Sequence, residues 1–169
     1  MMDKLLVPYL HPSDVAAYVS RPAIERRIID HVSESRQRKT LVVVGSRGVG
    51  KSFLVSKLLK ERRNGVYVKL RAQNMDILEV LRVKLEIKPS EVFAVEDLFL
   101  PFAELYGTEK PVLVVEIEGT VKHEATVGSQ SQILKALCDD LSLARGILIP
   151  SNANAAAWLK QDARRQNFL

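Results

Sequence analysis

Residues 40–53, T-L-V-V-V-G-S-R-G-V-G-K-S-F, constrain this chain more than any other stretch. Val42, Val43 and Val44 are consecutive, β-branched and apolar, which predicts a short buried strand. Gly45, Gly48 and Gly50 come next, and a helical apolar pattern begins after them. A strand delivered into a helix through a glycine loop implies an α/β chain with a parallel sheet. The stretch fits G-x-x-x-x-G-K-[ST], with Gly45, Gly50, Lys51 and Ser52 in the fixed places.

Each position has a physical reason. The glycines let backbone wrap a phosphate without Cβ clashes and reach positive φ where needed. The amides from Arg47 to Ser52 can then point at an anion, with the positive end of the helix dipole behind them. Lys51 reaches the β- and γ-phosphates as a point charge, and the Ser52 hydroxyl is a magnesium ligand. The expected cofactor-binding set is Gly45, Ser46, Arg47, Gly48, Val49, Gly50, Lys51, Ser52 and Phe53. The competing reading is a glycine-rich turn that binds nothing. The strand before the loop and the helix after it favour phosphate binding.

Composition narrows the setting. With 169 residues, 47% of them apolar, the chain is long enough for one α/β domain with a real core. Its 25 Lys and Arg against 20 Asp and Glu give a net charge of +5, which tolerates nucleic acid nearby without demanding it. The one cysteine, Cys138, excludes an internal disulfide framework and a cysteine zinc site. No apolar run approaches the ~18 residues of a membrane span. The start, M-M-D-K-L-L-V-P-Y-L, is too short and too broken by Pro8 for a secretory signal. A soluble intracellular protein with no membrane contact is expected.

Strand and helix patterns alternate along the chain. Residues 1–21 read as a lead-in. Ser20, Pro22 and Glu25 mark a helix start, followed by Ile24, Ile28 and Val32 at helical spacing. A helix over 53–63 places Phe53, Leu54, Leu58 and Leu59 inward and stops at Gly65. Residues 66–70 are a second strand, and 75–85 a helix that Asn74 could cap. A further helical region towards Tyr106 has Phe93, Leu98, Phe99, Phe102 and Leu105 as its apolar set, and Pro101 is expected to kink or split it. Residues 112–115 are a third buried strand. The next helix, 129–141, turns Ile133, Leu134, Leu137 and Leu141 inward. Residues 146–149 are a fourth strand, and Asn152 caps a last helix over 153–160. Ligands belong at the carboxyl ends of such strands.

Phosphoryl transfer also needs a metal-holding acid and a group to orient water. Glu116, at the end of the third strand, is the candidate magnesium partner. The more usual order there is Asp then Glu; here it is Glu116, Ile117, Glu118, and Ile117 cannot polarise water. In extended backbone Glu116 and Glu118 point to the same side. Glu118 is the candidate base, or else a solvated loop residue. Ser151 and Asn152 are candidates for contact with the γ-phosphate or the attacking water, with helix capping as the other reading of Asn152. Arg164 and Arg165 read as a solvated pair, with an arginine finger towards a neighbouring subunit as the alternative.

The chain resembles P-loop ATPases of the AAA+ and STAND groups, including archaeal-type and origin-recognition-like ATPase domains. V-S-R-P-A-I-E-R-R-I looks like their motif before the glycine loop, G-S-R-G-V-G-K-S like their Walker A, and V-L-V-V-E-I-E-G stands where their Walker B stands. The resemblance implies a three-layer P-loop NTPase core over 22–169, ATP and Mg²⁺ as cofactors, and an adenine pocket that includes Val19 and Arg21. It implies sheet order 5-1-4-3-2. Neither a fifth strand nor the helical lid is legible in the sequence. An uncovered first strand would be an exposed apolar edge, so the chain is expected to be a fragment of a larger ATPase or to be completed by another segment, a protein partner or self-association.

Two functions fit these residues: a Mg-dependent ATPase that couples nucleotide state to a partner, and a nucleotide-binding regulatory module that hydrolyses poorly. A nucleic-acid-associated role rests on mild basicity and the origin-recognition resemblance. The N-K-x-D stretch of GTP specificity is missing from the sequence.

Overall fold

The computed structural model describes residues 19–33, 40–60, 64–71, 76–106, 110–118, 124–150 and 167–168. In chain order these form α1 (Pro22–Ser33), β1 (Leu41–Val42), α2 (Lys51–Leu59), β2 (Gly65–Leu70), α3 (Ile77–Leu85), α4 (Glu96–Tyr106), β3 (Val112–Ile117), α5 (Glu124–Lys135) running into a π-helical turn (Ala136–Asp140), β4 (Arg145–Pro150) and β5 (Asn167–Phe168). The sheet order is β2-β3-β4-β1-β5, and every pairing is parallel.

Alternation along the strands builds two cores. Val66, Val68, Leu70, Leu113, Val115 and Ile117 face one side, against Ile77, Leu81, Leu98, Phe99, Leu134 and Leu137 of α3, α4, α5 and the π turn. Tyr67, Val112, Val114, Ile147 and Ile149 face the other, against Ile28 and Val32 of α1 and Leu54, Val55 and Leu59 of α2. A sheet buried on both faces must carry continuous apolar runs, which is why β3 and β4 read as unbroken stretches. The three-layer α/β core with helices on both faces is the expected one.

Carboxylates set the starts of α1 and α3. Glu25 reaches back to accept from Arg21 N at 2.6 Å and Ser20 Oγ at 2.9 Å. Asp76 caps α3 by accepting from Leu78 N at 2.8 Å; Asn74, the expected cap, lies outside the described residues. Gln130 of α5 accepts from Ile77 N at 3.0 Å, tying α3 to α5.

Several expectations change. A two-residue fifth strand is present: Asn167 and Phe168 pair with Leu41 and Val42, so the first strand is covered over those residues. The expected bare edge is corrected to that extent. β1 is shorter than the apolar run, although Val43 N still donates to Leu148 O at 2.9 Å. Pro101 does not split its helix; it lies inside α4. Phe93 is 79% exposed rather than inward. It precedes α4, where the amides of Phe93 and Ala94 are held by the Asp97 carboxylate, so the helical phase does not extend back to it. Leu141 is 52% exposed because the π turn inserts an extra residue and rotates the residues after it by about 100° relative to a continued α-helix. The side chains of Phe102 and Leu105, and the expected helix over 153–160, lie outside the described set.

The π turn positions the first strand. Asp139 accepts from Thr40 N at 2.9 Å and from Thr40 Oγ1 at 3.2 Å. Beside it, Gly146 of β4 is packed so closely that a Cβ there would lie 2.9 Å from Cys138 Sγ and 3.0 Å from Thr40 Oγ1. Thr40 is held by its bonds and Cys138 is enclosed in the core, so neither yields freely. Gly146→Ala is expected to destabilise the fold by about 1–3 kcal/mol through overpacking, read as a lowered urea midpoint with an unchanged slope.

Candidate functional site

The glycine loop leaves β1 and enters α2 with Gly48 at φ 83° and Gly50 at φ 86°. Both are in the left-handed region, where a Cβ would cost about 1–2 kcal/mol even though open space surrounds each. These two glycines are required by conformation, not by crowding. Gly50 is the N-cap of α2, and no capping side chain takes up the first amides of the helix. Gly45, Ser46, Arg47, Gly48, Val49 and Gly50 are all exposed, so the bend lies open at the carboxyl edge of the sheet, with Val49 N donating to Ser46 O at 3.5 Å within it.

Lys51 folds back over the loop. Its Nζ donates to Gly45 O at 2.8 Å and to Ser46 O at 3.0 Å, and the residue is only 9% exposed. Burial pushes its pKa below the usual 10.5, with the nearby Glu116 carboxylate opposing that shift. The ammonium is held by two neutral carbonyls, partners that an anionic phosphate oxygen outcompetes.

Ser52 lies in the first turn of α2, and its Oγ donates to Glu116 Oε1 at 2.7 Å. Strand alternation brings them together: Val112, Val114 and Glu116 share the face of β3 that packs towards α2. The other oxygen, Glu116 Oε2, accepts from the Tyr67 hydroxyl of β2. Glu116 is thus nearly buried, with both oxygens engaged. Ser52 and Glu116, the two residues expected at the metal, are in direct contact. Hard oxygen donors beside a phosphate-shaped loop suit Mg²⁺, which is bound through one or two protein oxygens plus substrate phosphates. Among the described residues no group of three or more His, Cys, Asp or Glu could hold a metal.

Glu118 lies just past the end of β3, and its amide donates to Leu70 O at 2.8 Å, extending the ladder by one residue. Its carboxylate lies between Lys69 Nζ at 3.1 Å and Arg71 Nε at 3.0 Å. The Lys69 hydrogen bond, helped by Arg71, holds its pKa below the ordinary carboxylate range. Both conditions weaken it as a proton acceptor. Ile117 points away from all of this, fully buried in the opposite core.

Val19 and Arg21 stand exposed at the start of α1. Phe53 is half-buried on α2, next to Ser52. Ser151, Asn152, Arg164 and Arg165 lie outside the described residues. Sequence reasoning passed over Tyr67, Lys69 and Arg71. Their signal was parity: a tyrosine, a lysine and an arginine at every second position of an apolar strand must share one face.

No family model matches the chain, and no curated protein matches it. Solved structures do. A chain of the Drosophila ORC structure, bound to GC-rich DNA and Cdc6, superposes with a TM-score of 0.55 at 11% identity over 95% of this chain. The match spans 34% of that longer chain. The crystal structure of DnaI aligns with 100% of this chain and 90% of its own, at a TM-score of 0.48 and 17% identity. This chain has a P-loop NTPase-like fold. Identity at the level of the ORC match speaks for the fold alone. No helix among the described residues is long and apolar enough to cross a membrane.

The lowered pKa of Lys51 has a signed consequence. Its charged form is disfavoured by folding, so the penalty is complete wherever the folded protein keeps the group fully charged, below its lowered pKa. It is relieved as pH rises through the lowered folded value towards 10.5, the unfolded one. In that window the unfolding free energy of the wild type is expected to rise relative to Lys51→Met, measured by urea titrations at stepped pH. A gap between the two proteins that widens against the wild type would contradict this assignment of the buried charge.

Proposed function

We propose that this chain is an ATP-binding domain in which Mg-ATP sits on the glycine loop. The phosphates are held by the amides from Gly45 to Phe53 and by Lys51, and the metal by Ser52 with Glu116. The observation that carries the reading is the 2.7 Å contact between Ser52 and Glu116. A turn that bound nothing would have no reason to bring a buried carboxylate from 64 residues away onto the hydroxyl after the loop lysine. Val19 and Arg21 form the adenine side, with residues 1–21 as lead-in and 22–169 as the nucleotide-binding core. The protein works inside the cell.

Within this reading, the ion pairs on Glu118 favour a module that holds nucleotide and hydrolyses it slowly over a fast Mg-dependent ATPase. Its nucleotide state is read by a protein partner or a second copy. A nucleic-acid-associated role rests on the +5 charge, and salt-dependent DNA titration tests it.

Calorimetry with ATP and magnesium separates the cases. Lys51→Ala is expected to weaken binding by at least tenfold, about 1.4 kcal/mol, with the fold intact. Glu118→Gln is expected to keep both the affinity and whatever turnover the wild type has. Retained affinity with lost turnover would instead make Glu118 the base and restore the ATPase reading. Wild-type protein that binds no nucleoside triphosphate would end both.

A further inference from the structure

We propose that Tyr67 is a positioning residue for the metal-holding carboxylate, an inference that rests on the Mg-ATP reading above. Glu116 carries one more methylene than the aspartate more usual at this place, and so one more torsion to fix. Its backbone pairs with Lys69, while Tyr67 pairs with Val114. Tyr67 is thus offset from Glu116 by two residues on the neighbouring strand, on the same face. Two residues along a strand span about 6.6 Å, a gap that a phenol side chain bridges and a serine or threonine does not.

The ring is held in place. Tyr67 is 7% exposed and packs among Val114, Ile147 and the apolar residues of α1 and α2. Only two torsions place its hydroxyl, and both are locked by that packing. The hydroxyl donates to Glu116 Oε2, which leaves Oε1 turned to Ser52. A carboxylate anchored through one oxygen presents the other at a fixed position. Outer partners of this kind orient ligands and typically change metal affinity by tenfold or more when removed. Tyr67 therefore makes the longer acid serviceable: it takes up the slack of the extra methylene.

The test compares calorimetric binding of ATP with magnesium and with EDTA, for wild type, Tyr67→Phe, Glu116→Gln and the double variant. Manganese affinity of the ATP complex, titrated by EPR, is the second readout. Tyr67→Phe keeps the ring, and a melting curve checks that it folds. It is expected to weaken Mg-ATP and manganese binding about tenfold, while ATP in EDTA binds within about twofold of wild type. In the Glu116→Gln background the same substitution is expected to cost nothing further. Equal loss with and without metal would mean that the ring merely packs, and would overturn the proposal. So would additive losses in the double variant, or unchanged Mg-ATP binding by Tyr67→Phe. A wild type that binds ATP no better with magnesium than in EDTA overturns the Mg-ATP reading along with it.

Discussion

The hydrogen bond from Ser52 to Glu116 joins the first turn of α2 to the end of β3, and the rest of the site is arranged around it. It exists only because β3 runs unbroken between β2 and β4 inside a parallel sheet. A one-residue slip of β3 would move Glu116 to the opposite core and bring Ile117 to the loop. The register is held by six paired positions to β2 and six to β4, with apolar side chains buried on both faces. The same alternation sends Val115 and Ile117 to the α3–α5 side and Val114 and Glu116 to the α1–α2 side. The carboxylate is therefore aimed by the whole sheet, not by its local loop.

The glycine loop is supported from the far end of the same strand. Thr40, immediately before β1, is tied through its amide and hydroxyl to Asp139. The π turn brings that carboxylate to Thr40. Close packing of Gly146 against Cys138 and Thr40 leaves no slack between β4 and the start of β1. Burial drives the Cys138 thiol pKa upward, as befits a residue used for packing and not for chemistry. Two left-handed positions, open at low cost to glycine alone, and a largely buried ammonium, unfavourable by its desolvation, are concentrated in one bend. The ammonium is kept there because well-packed elements flank the bend on both sides.

Much of this was legible in the sequence, and the limits have physical causes. The G-x-x-x-x-G-K-S spacing located the loop because backbone conformation there admits few residue types. β-Branched runs located β2, β3 and β4 because both faces of the sheet are buried. Helix boundaries and apolar faces were less secure. Leu141 obeys helical spacing only if the helix stays α, and the π turn, formed in tertiary packing against Thr40 and β4, has no local signature. Phe93 looked like core because its neighbours are apolar, yet an Asp97 cap places it outside α4. β5 is two residues long, too short to show any period. Tyr67 was hidden for a different reason: its role depends on which strand lies beside β2, and pairing is a property of the fold.

The polar residues of β2 give the two acids of β3 different chemistry. Glu116 lies in β3 and Glu118 just past its end, yet a phenol holds Glu116 while two cations hold Glu118. A phenol orients a carboxylate and leaves its charge to be met by a metal. A lysine and an arginine neutralise a carboxylate and make it a weaker base. Glu118 would have to leave Lys69 and Arg71 before it could accept a proton from water, and it stands partly exposed, where such pairs are weak and easily exchanged. Any partner surface that drew Lys69 and Arg71 away would release that carboxylate without disturbing Ser52, Glu116 or the loop. The buried contacts of Glu116 and the exposed ion pairs of Glu118 are thereby independent of one another in this sheet.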